Sequence, residues 1–441
     1  MKTVIVLFTR DLRLHDHPAL SAAASTADRV VPFFVLDDAL ISGRSGTPNR
    51  LAFLLDSLRD LDRSLRRRGT RLVVRRGEVV SEAIGLAREC AADGIYLSED
   101  VSGYARTRQR RLERACKGEG IALRAFEGVT VIPPGELTPA GGDHYRVFTP
   151  YWNAWRATAR RRPRGAARNL GAPTRLRHGR IPKLSDLTSE SPLDGLPRGG
   201  ETRAREHLGR WLRTGSRRYV DQADDLPADA TSHLSPYLHF GCLSPNEVLA
   251  RADARGGLED FARQLCWRDF HHQVLAARPD LPYRDYRPRR RRWKSDELAL
   301  QRWRQGETGY PIVDAGMRQL ARCGFLPNRA RLIVASFLTK TLGLDWREGA
   351  DHFEELLVDA DLANNRGNWQ WVAGTGNDTR PNRVLNPIRQ ARRFDPEGVY
   401  VRRFVPELAE IDGRAIHEPW KLDPERRSQL GYPEPLVPPP S

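Results

Sequence analysis

Cysteine is scarce in this chain: five residues, at 90, 116, 242, 266 and 323, stand far apart with no Cys-x-x-Cys pair. An odd, scattered set argues against a disulfide framework and against a cysteine-ligated metal cluster, and it fits a reducing, cytoplasmic setting. No metal site is expected. Long apolar runs are missing too, since none approaches the roughly 20 residues that a bilayer span requires, and no membrane association by insertion is expected. The opening stretch Met1–Phe8 turns charged at Arg10 and Asp11, which reads as a buried first strand and not as a signal peptide. The glycine fingerprint of a dinucleotide-binding turn is absent after that strand, and no Walker A loop occurs. NAD and ATP are therefore not held in those familiar ways.

Basic residues, by contrast, are in excess. Lys and Arg number 72 against 56 Asp and Glu, a formal net charge of +16. Such a balance favours a polyanionic partner, with nucleic acid first and an anionic membrane surface second. An arginine-rich composition without functional meaning is the alternative. With 441 residues and 39% hydrophobic content the chain can build two or three packed units.

Residues 1–130 alternate short apolar runs with helix-length segments. Val4–Phe8, Val30–Leu36, Leu72–Arg75, Ile95–Leu97 and Ile121–Phe126 are predicted strands, with helices over Arg50–Arg67, Glu82–Ala91 and Tyr104–Lys117. That alternation predicts an α/β unit, a doubly wound parallel sheet with helices on both faces. Residues 131–200, rich in Pro, Gly and Arg, are expected to connect two domains across a surface, with local order around Phe148–Trp155. From 201 to 430 the pattern is helical, and Ser244-Pro245-Asn246-Glu247 has the form of a helix start. Leu258–Ala277, Val313–Cys323 and Asn328–Leu342 carry apolar residues at three- and four-residue spacing. The Pro-rich end, 431–441, is expected to lack structure.

Several clusters in the second half have chemical potential. Hydroxyls gather in Thr231-Ser232-His233-Leu234-Ser235-Pro236 before a predicted helix, where they can hold a phosphate or simply cap the helix. Gln264, Trp267, Arg268 and His271 fall at i, i+3, i+4 and i+7 on one helical face. This polar and aromatic stripe suits a cavity wall better than a core, because buried polar groups need partners. Asn328, Arg331 and Leu332 share a face in the same way. Further on, Asp359, Asp361, Asn365, Trp369 and Trp371 lie within thirteen residues, a set able to hold a planar, hydrogen-bonding heterocycle. Tryptophans also serve as ordinary core residues. The run Arg289–Arg292 ahead of Trp293 is either a solvated surface or a phosphate contact.

Taken in order, these stretches resemble the DNA photolyase/cryptochrome family. The stretches are Arg10–Asp16, Thr231–Pro236, Trp267–Phe270, Gly309–Ala315, Asn328–Arg331 and Asn365–Trp371. The resemblance runs from about residue 3 to 420 and is nearest to a class I cyclobutane pyrimidine dimer photolyase. It implies an N-terminal antenna domain and a helical domain that holds FAD. Residues matching the flavin site are Tyr219, Thr231, Ser232, His233, Leu234, Ser235, Arg268, Arg331, Asp359, Ala360, Asp361 and Asn365, the last facing flavin N5. Trp293, Trp346 and Trp369 match an electron-transfer chain. Trp267 and Trp371 match rings that sandwich a flipped-out dimer, with Gln264, His271, Asn328, Arg329, Leu332, Arg383 and Gln390 on the DNA-binding face.

The implied activity is light-driven repair of pyrimidine dimers in DNA by electron transfer from reduced FAD, carried out by a monomer in the cytoplasm at the nucleoid. The alternative is a cryptochrome-type blue-light receptor. Gln264, Leu332 and Phe325 stand where many family members have Glu, Met and Trp. Arg50 and Asp100 are similar to residues of deazaflavin-binding members, so an 8-hydroxy-deazaflavin antenna is preferred to folate.

Overall fold

The computed structural model describes residues 1–168, 170–171, 176–288 and 292–439. Five strands, β1 (Thr3–Phe8), β2 (Arg29–Asp37), β3 (Val73–Gly77), β4 (Gly94–Ser98) and β5 (Ala122–Phe126), form one parallel sheet in the order β3-β2-β1-β4-β5. All of β1 is buried, which is why its sequence is apolar without alternation. Its side chains still divide by face. Val4, Val6 and Phe8 enter one core, Ile5 and Leu7 the other, and Val30 and Phe34 against Val31 and Phe33 do the same on β2. The helices Val79–Glu89 and Gly103–Gly118 cover the second face. The first face is covered by Pro18–Thr26 and Pro48–Arg66, and its core runs on into the helical half through Trp211, Leu265 and Phe270.

The connecting segment is ordered by aromatic packing. Phe148–Ala157 is a helix whose Phe148, Tyr151, Trp152 and Trp155 are buried. Asp269, on the helix Glu259–Ala277, accepts hydrogen bonds from Val131 N, Ile132 N and Trp155 Nε1 at 2.9–3.0 Å. From Glu201 onward helices predominate. The helix expected over Asn328–Leu342 is α-helical to Ser336 and then widens into a π-helical turn, Phe337–Leu342. The C-terminal end departs from the expectation of no structure. After a helix at Pro424–Leu430, Tyr432 bonds to Asp314 through its hydroxyl. Leu436 N donates to Thr308 O (2.9 Å), and Tyr310 donates to Val437 O (3.1 Å). Such a segment has no periodicity of its own, and its order comes from the Thr308–Asp314 surface that it covers.

The two halves meet at the loop 10–17. Leu12 N donates to Phe240 O (3.2 Å). The buried Arg13 guanidinium donates to the carbonyls of Asp16, Gly128 and Gly241 at 2.9–3.2 Å. Asp16 receives Arg161 and Ser244, while Glu201 receives the amides of Leu14 and His15. Asp11 and His17, both fully buried, stand 3.0 Å apart.

Burial works against the charge on Asp11, but His17, the Ser98 hydroxyl and the Thr9 amide outweigh it and hold the carboxyl at about 2. A depressed carboxyl stabilises the fold above its unfolded value of about 3.9, and that stabilisation is lost as the pH falls toward 2. Asp11→Asn is therefore expected to lower stability by about 2 kcal/mol at neutral pH, and the difference from wild type should shrink below about pH 4. Urea denaturation across pH 7 to 3 measures it; a constant difference would contradict the assignment.

Candidate active site

One wall of an aromatic-lined cavity of ≈ 410 Å³ comes from the helix Glu259–Ala277, whose Gln264, Trp267 and Arg268 line it. Side chains three and four apart share a helical face, so these three arrive together. His271, one turn on, is not at the cavity surface. Its ring lies against Gly367, where a Cβ would stand 2.2 Å from Nδ1. Burial pushes this imidazole down to about 4, so it is neutral at physiological pH. Behind Trp267 sits Phe148, stacked at 3.6 Å with 3° between the ring planes. Packing fixes one face of Trp267 and leaves the other to the cavity.

Tyr219, Thr231, Ser232, His233, Leu234 and Ser235 line the same space. The short helix Ser235–His239 begins without any side-chain cap, so ordinary capping does not use these hydroxyls. Thr231 Oγ1 is buried without a partner, and so is Nδ1 of His239 in the same wall. Unsatisfied buried groups cost about 1–3 kcal/mol each, a cost that a bound ligand removes. His233 has φ +49°, a left-handed conformation, and its ring stacks on Phe325 at 4.5 Å.

The remaining wall is acidic, basic and amide in turn. Arg331 grips both oxygens of Asp359 (2.8 and 3.0 Å) and donates Nε to Leu326 O (2.6 Å). Asp361 caps the helix Leu362–Ala373 by accepting from Asn364 N (2.9 Å). Burial opposes its charge, yet His272, Arg10 and Arg268 hold the carboxyl well below the usual carboxylate range. Asn365 uses Nδ2 for Ala350 O (2.9 Å) and Glu354 Oε1 (3.2 Å), which leaves its Oδ1 as an acceptor. Asn328, Leu332, Trp369 and Trp371 also line the cavity.

Comparisons with known proteins identify the family. A family model described as DNA photolyase matches residues 4–170, and one described as the FAD binding domain of DNA photolyase matches 261–439. A deoxyribodipyrimidine photo-lyase of Streptomyces griseus is 53% identical, covering 99% of this chain and 96% of the relative. The chain belongs to the DNA photolyase family. Among solved photolyases, a bacterial class III enzyme from Agrobacterium tumefaciens superposes with a TM-score of 0.92 at 34% identity, over 99% of this chain and 95% of that one. An archaeal photolyase from Sulfolobus tokodaii, described with two FAD molecules, gives 0.88 at 33% identity, over 99% and 96%.

The photolyase cavity fits FAD chemically. Unpartnered hydroxyl and imidazole atoms, a carboxylate held ionised, a free amide oxygen and an apolar rim through Leu332 and Val372 meet what a flavin with its phosphates presents. Several matched residues lie elsewhere. Ala360 lines a second cavity. Arg329 is engaged by Asp224, with its guanidinium 4.3 Å from the Phe394 ring, and Gln390 has a buried Oε1 without a partner, outside the main lining. Arg383 is exposed, its guanidinium 5.7 Å from the Trp371 ring. Trp346 is fully buried and donates Nε1 to Asp285 (2.9 Å), while Trp293 is half-buried. Trp369 touches Phe353 (5.0 Å) and Trp303 (6.0 Å). Of the arginine run, 289–291 lie outside the described residues and Arg292 is exposed.

The second cavity, ≈ 320 Å³, opens at the carboxyl ends of β1 and β2, beside the point where the strand order reverses. Arg50 and Asp100 both line it. The Arg50 guanidinium is engaged by four carbonyls, of Arg44, Ser45, Glu354 and Leu357, so it forms wall and not a free cation. Asp100 pairs with Arg10 at 3.5 Å. Sequence reading missed Arg10, Phe148 and His239. Phe148 left a trace in the aromatics of Phe148–Trp155 and Arg10 in the stretch Arg10–Asp16, neither with a role, and nothing marked His239.

Gly367 is the sharpest test of this packing. Gly367→Ala drives a methyl into the His271 ring and is expected to lower stability by about 1–3 kcal/mol and to reduce FAD retention. Thermal melting and flavin absorbance of the purified variant measure both; wild-type values would show that the helices separate freely here.

Proposed function

We propose that the chain is a deoxyribodipyrimidine photo-lyase that repairs cyclobutane pyrimidine dimers in DNA under blue light. The observation that carries this reading is the pair of tryptophans on one cavity. Trp267, backed by Phe148, and Trp371, beneath Arg383, offer ring faces above a polar recess lined by Asn365, Asp361 and Thr231. A damaged step is already poorly stacked, so its extrusion into such a slot costs less than that of a paired base. Bound reduced FAD supplies light-driven one-electron donation with no net redox change.

Each residue then has a task. Tyr219 and Thr231–Ser235 hold the cofactor, together with Arg331 paired to Asp359. Asn365 offers Oδ1 to a flavin N–H, because both of its amide protons are engaged elsewhere. Trp369, Trp346 and Trp293 pass electrons inward from the surface. Gln264 and Asn328, both exposed at the mouth, hydrogen-bond the dimer, and Leu332 gives it an apolar contact. Arg383 contacts flanking phosphate; Arg329, occupied by Asp224, contributes less. The charge of +16 supports salt-dependent DNA binding by a cytoplasmic monomer. The second cavity takes an antenna, with 8-hydroxy-deazaflavin preferred.

Illumination of the purified protein with dimer-containing DNA tests the function. Dimer loss that requires light is expected. Bound FAD without repair would favour a blue-light receptor, and failure to take up FAD would sink both readings. Trp369→Phe is expected to slow photoreduction of the flavin at least about tenfold, while chemically reduced enzyme repairs at close to the wild-type rate. A matching loss of repair would remove Trp369 from the electron path. Stacking on a base is worth about 1–3 kcal/mol, so Trp371→Ala should weaken binding to damaged DNA about 5- to 150-fold. Binding to undamaged DNA should barely change, and equal losses would contradict a lesion contact.

A further inference from the structure

Arg10 belongs to the loop after β1, yet its guanidinium reaches across the seam between the two halves. Nη2 bonds to Asp361 Oδ2, Nη1 lies 3.5 Å from Asp100 Oδ2, and Nε donates to His239 O at 3.4 Å. These partners face different spaces. Asp361 lines the main cavity, and His239 lines the main and second cavities. Asp100 lines the second cavity and a cleft of ≈ 550 Å³ that His272 also lines. One side chain thus touches the charge inventory of three openings.

We propose that Arg10 is a positioning residue that couples the flavin cavity to the second cavity, by dividing one buried positive charge between Asp361 and Asp100. This rests on the flavin reading of the main cavity given above. The groups facing Asp361 are few: Arg10 from the first half, His272 and Arg268 from the helix Glu259–Ala277, His239 from Ser235–His239, and Asp100 across Arg10. The histidines do not compensate for a lost arginine. Burial pushes His272 down to about 4 and His239 to about 3, so both are neutral at physiological pH. Arg268 already donates to Val129 O (2.6 Å) and stands 3.8 Å from Asp269. Among the described residues Arg10 alone bonds Asp361 with a permanent charge, and it holds the oxygen that the helix cap leaves over. Whatever neutralises or displaces Asp100 releases Arg10 toward Asp361. Whatever draws Arg10 toward the second cavity leaves Asp361 a buried, under-compensated carboxylate. Linkage makes this reciprocal, so filling either cavity alters affinity at the other.

The test uses the full chain in two states. In the flavin-free protein, Asp100→Asn and Asp361→Asn are combined in a double-mutant cycle, read by urea denaturation, with Arg10 present and in an Arg10→Gln background. Coupling through Arg10 predicts non-additivity of at least about threefold in the unfolding constant with Arg10, and a clearly smaller one without it, where only the direct repulsion of the two carboxylates remains. In the FAD-loaded protein, Arg10→Gln should raise the FAD dissociation constant about tenfold or more at pH 7, and the loss should shrink as the pH falls, because the under-compensated Asp361 then takes up a proton and its charge disappears. Arg10→Lys should restore most of the affinity, and Asp100→Asn should leave FAD bound at least as tightly as in the wild type. The same degree of coupling in both backgrounds, additivity included, overturns the coupling through Arg10. An unchanged FAD affinity and pH profile in Arg10→Gln overturns the positioning role. If wild type takes up no FAD, the flavin reading fails, and the flavin-free cycle still decides the coupling.

Discussion

Everything in this molecule depends on a buried electrostatic seam, the loop 10–17. A charged side chain removed from water is costly, and an uncompensated one costs about 3–5 kcal/mol when its partner is deleted. This loop buries Arg13, Asp11, Asp16 and His17. Arg13, Asp11 and Asp16 are matched by groups from other parts of the chain, Gly128, Ser98, and Arg161 with Ser244, while His17 stands against Asp11 and Glu201 holds the neighbouring amides. Such a set is satisfied only in one relative placement of the sheet and the helices. Apolar surfaces tolerate sliding, but a fixed arrangement of donors and acceptors does not. The seam therefore sets the angle at which the two halves meet, and with it the shape of every cavity between them.

The placement of the tryptophan wall follows from that constraint. Asp269 ties the helix Glu259–Ala277 to residues 131 and 132 and to Trp155, and Phe148 from the same segment seals the back of Trp267. Two neighbouring residues on one helix thus have opposite duties. Trp267 turns a face toward the cavity, while Asp269 holds the helix from behind. A segment that looks like a linker from its composition is instead the brace of the site. Its Pro and Gly content allows it to follow the surface, and its aromatic residues fix where it does so.

Much of the fold was legible in the sequence because local signals and burial agree there. Strand and helix runs in the first 126 residues fall within a few positions of the predicted ones, since a sheet covered on both faces demands continuous apolar strands. The i, i+3, i+4 rule placed Gln264, Trp267 and Arg268 together, yet it also included His271, which only the close approach of Gly367 takes out of the cavity. The C-terminal tail was misread because its order is borrowed from Asp314 and Thr308, over a hundred residues away in sequence. Arg10 was read as part of a motif with no visible task. Its partners Asp100 and Asp361 are 90 and 351 residues distant, and no pattern of spacing brings them together.

The choice of an amide at position 365 has a physical reason within this chain. Its Nδ2 donates to Ala350 O and to Glu354 Oε1, and Glu354 is at the same time the partner of Arg366. A carboxylate in place of the amide would set two negative charges about 3 Å apart in a buried wall, and one of them would have to take up a proton. It would also lack the donors that Ala350 and Glu354 now receive. The amide avoids the repulsion, satisfies both neighbours, and still offers an acceptor oxygen to the cavity without placing a charge there. The fixed negative charge of the wall is thereby confined to Asp359 and Asp361, each already bonded by an arginine. A cofactor that gains negative charge on reduction meets a neutral group at Asn365 and compensated ones elsewhere, a setting in which that charge is tolerated and not opposed.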